Sequence, residues 1–259
     1  MADYLDQVSE FVANTGFDDL PSAAVDRARR VIADTIAAIA AGSAEPEVAA
    51  LTARMTTQAG RSSVIGAGQS APPATAAFLN GTSGTFLELD EGNQFSRGHP
   101  GIHALPSALA VAEDCRSSGK DFLTAIVLGY EIGARIGIAA KILPTMHPHG
   151  TWGTVGAAVA VAKLMGANAH QVRELINIAS TLGLATSRQT MLQGGTVRNS
   201  FAGFSGQIGL MAWDMLESGF TGEADGLSTI WGNVISTDWR PEEMTNELGP
   251  RYEIARNYF

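Results

Sequence analysis

The chain has 259 residues with 45% apolar and 17% charged side chains, enough for a buried core, which argues against disorder. Its formal net charge of −9, with no basic stripe, excludes nucleic acid as an expected partner. The single cysteine, Cys115, excludes an internal disulfide, fits a reducing cytoplasmic compartment and is predicted to be a packing residue rather than a nucleophile.

Apolar residues recur at helical spacing along most of the chain. Ser62–Gly66 is the clearest strand candidate, Asp121 is a predicted N-cap, residues 189–200 are predicted to be irregular, and short helices and loops are expected beyond Gly219. The predicted helices cover residues 4–13, 23–41, 46–58, 72–85, 107–116, 122–141, 151–165, 169–182 and 201–218. Because strands do not alternate with helices, the pattern predicts an all-α fold, and we assign residues 1–259 to a single domain.

Glycine recurs at every fourth position in the predicted helix 122–141, at Gly129, Gly133 and Gly137. Such a ridge of missing side chains predicts a groove into which another helix presses. Gly81 and Gly84 indicate a similar close approach near the end of the predicted helix 72–85.

No membrane partner is expected. The most apolar stretches, residues 31–41, 122–140 and 155–165, are short or interrupted by charges, and none reaches the ~18 uninterrupted apolar residues of a spanning helix. The acidic N-terminus lacks the basic and apolar regions of a secretory signal. These features predict a soluble, cytoplasmic protein.

Polar and titratable residues concentrate in residues 87–106, a glycine- and proline-containing segment between predicted helices. A reactive site is commonly built from such groups on an irregular segment held between rigid elements. The segment carries Glu88, Asp90, Glu91, Arg97, His99 and His103.

A second polar stretch, residues 146–151, contains His147 and His149 just before another predicted helix. Helix N-termini favour anions. Both stretches lie before predicted helices, which begin near Pro106 and Thr151, and we expect the two stretches to share one anion pocket. Arg188 and Arg198 flank a glycine turn and can supply bidentate contacts to a carboxylate.

A histidine in this pocket suits proton transfer near neutral pH. We assign the base to His99 or Asp90, with His147 as the acid or as the group that steadies an enediolate-like charge. Metal binding by His147, His149, Asp90 and His99 is a weaker alternative, since no HExxH motif or cysteine pair supports it. The prediction is therefore no metal and no cofactor.

Several segments resemble the MmgE/PrpD family, which includes 2-methylcitrate dehydratase, cis-aconitate decarboxylase and iminodisuccinate epimerase. The resembling segments are residues 87–92, the Gly98-His99-Pro100-Gly101 turn, residues 147–158, residues 200–206 and the closing residues 254–259. The match runs through most of the chain in the family's order, and residues 147–158 are its most specific part.

The resemblance implies a large multi-helix domain, cofactor-free chemistry on a small di- or tricarboxylate, and homodimers. Carried over by motif, the catalytic residues are Asp90 (or Glu88), His99 and His147. We further assign substrate binding to Glu88, His149, Thr151 and Arg198.

Two departures from the family pattern bear on function. The family often has a lysine in the stretch that corresponds to residues 193–200, but here that stretch contains Arg198 and no lysine, which favours the epimerase alternative. Family members continue past a segment like residues 257–259 into a smaller α+β lid domain, which we expect to be missing here, or supplied by a separate chain. The resulting prediction is a lyase acting by dehydration or decarboxylation. An epimerase is the first alternative and a non-catalytic helical subunit the second.

Overall fold

Ten α-helices carry the fold in the computed structural model, which describes residues 3–258. They are α1 (Tyr4–Asn14), α2 (Ser22–Gly42), α3 (Pro46–Met55), α4 (Pro73–Gly84), α5 (Pro100–Cys115), α6 (Gly119–Ala139), α7 (Trp152–Leu164), α8 (Ala169–Leu182), α9 (Arg188–Leu192) and α10 (Phe201–Glu217). The fold is mostly helical, as predicted.

Short strands form two separate antiparallel pairs. β1 (Ser62–Val64) pairs with β2 (Gln69–Ala71), and β3 (Ala140–Ile142) pairs with β4 (Ser236–Trp239). The strand predicted at Ser62–Gly66 is therefore present, two residues shorter than expected. Neither pair forms a layer of the core, most of which consists of helix faces, although Val64, Ala71 and Ala140 of the strands belong to it.

Helices α6 and α7 cross where each has glycine. A Cβ added at Gly129 would lie 2.6 Å from the Gly156 carbonyl oxygen, and one at Gly156 would lie 2.8 Å from that of Gly129. Helices α4 and α10 meet in the same way, since a Cβ at Gly81 would lie 2.8 Å from the Gly203 Cα. The predicted close helix approach at these glycines is confirmed.

Helix α6 is long and apolar enough to cross a membrane by length and composition. However, 89% of its most apolar window is buried inside the fold. Its composition is thus accounted for by its position as a core helix, packed between α5 and α7.

The prediction that the helix after the first polar stretch begins near Pro106 was wrong. Helix α5 begins at Pro100, so His99 occupies the N-cap position and His103 lies inside the helix. Proline is well suited to a first helical position because its missing N–H has no partner there in any case, and Pro100 rather than Pro106 takes that role. Pro106 lies inside the helix, where packing tolerates it.

Three smaller predictions also need correction. Ser118, not Asp121, caps α6, because its hydroxyl accepts from the Asp121 backbone N–H. Residues 189–200 are not wholly irregular, since they contain most of α9 and the 3₁₀ turn Thr196–Ser200. Cys115 is exposed at the end of α5, so it is not a core packing residue.

Hydrogen bonds to a buried ion pair within α6 hold the segment after β4 against this helix. The pair joins Arg135 Nε and Glu131 Oε1, which lie 2.7 Å apart in two fully buried side chains. The Arg135 guanidinium also donates to the carbonyls of Glu243 and Asn246, and Glu131 accepts from the Glu253 backbone N–H at 2.6 Å. These bonds satisfy both buried charges and fix the chain near its C-terminal end against the core.

Candidate active site

The two polar stretches converge on one cavity. The ring centroids of His99 and His149 lie 5.0 Å apart, and those of His147 and His149 lie 4.8 Å apart. The cavity beside them has a volume of about 500 Å³. The expectation of a shared pocket is thus met in the geometry, although one of the two helices begins earlier than expected.

Polar groups from four parts of the chain face this cavity. Its described lining includes Glu88, Arg97, His99, His147, His149, Arg188, Arg198 and Tyr258, with apolar walls from Ile142, Leu143, Met146, Trp152 and Met191. A concave site with apolar walls and a few convergent polar groups is the usual form of a small-molecule pocket.

His99 is paired with Asp90. The His99 Nδ1 atom lies 3.2 Å from Asp90 Oδ2 and 3.2 Å from the Asp90 carbonyl oxygen. Burial by itself lowers the pKa of His99, but the adjacent Asp90 carboxylate, with the charge of Glu91 behind it, raises that pKa to about 9. His99 is therefore an imidazolium at neutral pH.

Glu91 anchors the N-terminus of α5 from the preceding loop. Its carboxylate accepts from the Gly101 backbone N–H at 2.7 Å, the Tyr130 hydroxyl at 3.0 Å and the Asn257 amide at 3.2 Å. Burial raises the pKa of Glu91, against the effect of these donors. The sequence showed Glu91 as one of three loop carboxylates but gave no signal for this capping role.

The C-terminal residues brace the same loop. Gly92 and Tyr258 exchange backbone hydrogen bonds of 3.2 and 2.9 Å, and the Asn93 amide donates to the Glu253 carbonyl at 3.1 Å. The Arg256 guanidinium lies 3.5 Å from the centre of the Phe95 ring. Tyr258 belongs to the closing motif recognised in the sequence, and Phe259 lies outside the described residues.

His147 and His149 are held by the loop before α9. The Thr186 hydroxyl lies 2.9 Å from the His147 carbonyl oxygen and 2.8 Å from that of His149. The His149 backbone N–H donates to His147 Nδ1 at 3.1 Å. Thr186 had no motif that could have identified it.

The charge state of His147 is opposite to that of His99. Burial lowers its pKa to about 4, helped by the positive charges of Arg198, His99 and Arg188. Arg198 Nε donates to His147 Nε2 at 3.4 Å, so both ring nitrogens of His147 face N–H donors. His147 is therefore neutral at pH 7 and faces Arg198 as a hydrogen-bond acceptor.

His149 and His103 extend from His147 toward the core as further neutral rings. Their ring centroids lie 5.2 Å apart, and His103 lies 5.5 Å from the Trp152 ring. Burial lowers the pKa of His103 to about 3 and that of His149 well below its usual value. Within residues 3–258 neither His103 nitrogen has a hydrogen-bond partner, so packing holds this ring in place.

Arg198 is buried with its guanidinium at the cavity. It donates to the Asn199 side-chain oxygen at 3.0 Å and to the Thr85 carbonyl at 3.4 Å, and it forms a close ion pair with Glu88. By contrast, the Arg97 guanidinium binds the carbonyls of Gly137 and Ala140 at the end of α6. Arg97 thus serves the fold, and Arg198 and Arg188 are the arginines placed for an anion.

The predicted site residues fall into two groups. The cavity lining includes Glu88, His99, His147, His149 and Arg198. The described lining does not include Asp90, which lies behind His99, or Thr151, whose hydroxyl donates to the Pro148 carbonyl. Asp90 can thus act through His99, and Thr151 acts in the turn that presents His149.

The charges around the cavity favour an anion. Within the described part of the chain no three His, Cys, Asp or Glu side chains are grouped to hold a metal ion. An imidazolium and two guanidinium groups around one cavity favour a substrate with several carboxylates.

A family model matches most of the chain. The model of the MmgE/PrpD N-terminal domain matches residues 6–241, and the chain belongs to the MmgE/PrpD family. The resemblance seen in the sequence motifs is thereby confirmed.

The chain is similar to curated relatives that are named as cis-aconitate decarboxylases or as like them. A cis-aconitate decarboxylase-like protein, oryM, of Aspergillus oryzae is 31% identical, covering 92% of this chain and 53% of the relative. The cis-aconitate decarboxylase of Aspergillus terreus is 28% identical over 88% of this chain and 49% of its own length. Human cis-aconitate decarboxylase is 34% identical over 42% of this chain and 24% of its own length. The chain spans about half the length of the Aspergillus relatives.

Proposed function

We propose that this chain carries the catalytic histidines of a cofactor-independent lyase that removes CO2 from a small unsaturated tricarboxylate such as cis-aconitate. The single observation that carries the proposal is the His99–Asp90 pair on the cavity, opposite a neutral His147 and a buried Arg198. The names of the relatives support the substrate class.

In the proposed reaction Arg198 and Arg188 bind carboxylates of the substrate. The bond to the departing carboxylate breaks, CO2 leaves, and the electron pair spreads over the neighbouring double bond and a remaining carboxylate. The Arg198 guanidinium, which donates to His147 through its Nε atom, steadies this negative charge, because a donor fixed before the reaction needs no reorganisation as the charge develops. His147 acts by positioning Arg198. His99 then gives its proton to carbon and is reprotonated from water.

This assignment differs from the prediction that His99 or Asp90 is the base. An imidazolium paired with a carboxylate has a proton to give, and the Asp90 carboxylate is committed to His99. Dehydration and epimerisation both begin by removing a proton from carbon, whereas loss of CO2 needs only an acid. The charge states therefore favour decarboxylation over an epimerase of the iminodisuccinate type.

The test is incubation with cis-aconitate in D₂O, followed by NMR. We expect CO2 release with one deuteron on a carbon of the product, and loss of both in His99→Gln. Deuterium exchange into recovered substrate without CO2 release would favour the epimerase. Binding of cis-aconitate without turnover, alone or with a separately supplied lid-domain chain, would favour a non-catalytic subunit.

Other parts of the prediction await their own experiments. A homodimer, a separate lid-domain chain and a cytoplasmic location remain predictions, as does the absence of cofactor, metal, nucleic acid and membrane partners.

A further inference from the structure

Glu88 is an exposed residue of the cavity lining that pairs with a buried arginine. Its side chain is 58% exposed, yet its carboxylate forms a close ion pair with Arg198, whose side chain is 7% exposed. Its backbone has a φ of +56°, a left-handed conformation that residues other than glycine seldom adopt. The loop thus directs a largely solvated carboxylate onto a buried guanidinium.

The other partners of Arg198 belong to the protein's interior. Thr85 and Asn199 accept from its Nη1 atom, and His147 lies at its Nε atom. Glu88 is the partner on the side of the cavity, and both residues line it. A substrate carboxylate that binds Arg198 from the cavity therefore meets Glu88 in the same place.

We propose that Glu88 is an internal competitor for the substrate carboxylate at Arg198, and that a substrate binds by displacing it. This inference rests on the proposed function, because it takes Arg198 to be the carboxylate anchor. It replaces the expectation that Glu88 binds the substrate directly, since two carboxylates at one guanidinium repel each other.

Displacement makes the site selective for multiply charged acids. A monocarboxylate only exchanges one carboxylate for another at Arg198. A tricarboxylate also gains His99 and Arg188, which line the same cavity and are not paired with Glu88. Glu88 would thus act as a specificity-determining residue that disfavours small single acids.

The test is calorimetric binding of tricarballylate, a saturated tricarboxylate with no double bond to carry the charge left by CO2 loss. Glu88→Gln keeps the size of the side chain and removes its charge. We expect this variant to bind tricarballylate about twofold to fivefold more tightly, the range expected for removing a partly exposed ion pair. Glu223→Gln removes one charge from an exposed loop outside the cavity lining and is the matched control, expected to bind like the wild type.

A second cycle in an Arg198→Gln background separates this competition from a general charge effect. There Glu88→Gln should no longer tighten binding, because the shared anchor is gone. Unchanged or weaker binding by Glu88→Gln in the wild-type background would overturn the competitor role and leave the proposed function standing. Failure of tricarballylate to bind either the wild type or Glu88→Gln would overturn both proposals.

Discussion

His99 and His147 line the same cavity, but the protein holds them in opposite charge states. His99 has a carboxylate at 3.2 Å, and its pKa rises to about 9. His147 has a guanidinium nearby and its pKa falls to about 4, mainly through burial. Two identical side chains thus become an acid and a neutral acceptor because their partners carry opposite charges.

The two sides of the cavity, one carrying His99 and the other His147, are also held in place by different forces. Polar bonds fix the His99 side: Asp90 pairs with the ring, and Glu91 ties the loop to α5, Tyr130 and Asn257. Packing of rings fixes the inner part of the His147 side, through His149, His103 and Trp152. A substitution that removes a polar group should therefore disturb the His99 side, and one that adds bulk should disturb the His147 side.

The largest expected effect comes from removing the proposed proton donor. His99→Gln should reduce turnover of cis-aconitate by about 10²-fold or more, because an amide cannot supply a proton to carbon. Steady-state kinetics measures the loss. His170→Gln, an exposed histidine on α8, is the control and should leave turnover unchanged. Equal turnover in His99→Gln and wild type would remove His99 from the mechanism.

The neutral side is tested by His147→Ala. Loss of the ring that positions Arg198 against a developing negative charge should lower kcat by about 10²-fold, with a smaller change in KM. The dependence of the remaining rate on alkaline pH should stay as in the wild type, since His99 is intact. A loss of the alkaline limb in this variant would mean that His147, not His99, supplies the titrating proton.

Asp90→Asn tests whether the carboxylate sets the charge of His99. The acid form of His99 is required, so wild-type activity should fall as the pH rises through about 9. In the variant this fall should move toward the ordinary histidine value of 6.5, with turnover at pH 8 about tenfold lower. The pH–rate profile reports the shift, and NMR titration of the His99 ring checks it directly.

The same pair should affect stability with a defined sign. Because the pKa of His99 is raised in the folded protein, its stabilisation is fully present below pH 6.5 and is lost as the pH rises through about 9. Urea unfolding of wild type and Asp90→Asn should thus differ most below pH 6.5. A difference that grows toward pH 9 would contradict the pairing.

The smallest expected effect is steric. A Cβ added at Gly153 would lie 2.2 Å from His103 Cγ, so Gly153→Ala should destabilise the fold by about 1–3 kcal/mol and shift the His149 ring. Gly119→Ala, a helical glycine with open space around it, is the matched control and should be neutral. Chemical denaturation measures both. Wild-type stability in Gly153→Ala would show that the ring stack is loosely packed.

Several features were predictable because they depend on local pattern. Helix α8 was predicted with the observed bounds, and glycine spacing identified the crossing of α6 and α7. The start of α5 was misplaced, because Pro100 and Pro106 both suit a helix opening and only packing decides between them. His99, His147 and Arg198 were identified from their types and motifs.

By itself, the sequence determined a helical member of the MmgE/PrpD family and predicted histidines and an arginine for an acidic substrate, since periodicity and motifs are properties of neighbouring residues. The tertiary structure alone decided which histidine is charged, that Glu91 caps α5 together with Asn257, and that Glu88 pairs with Arg198. These facts depend on burial and on partners distant in the chain, and pKa values and ion pairs follow distance in space rather than order in sequence.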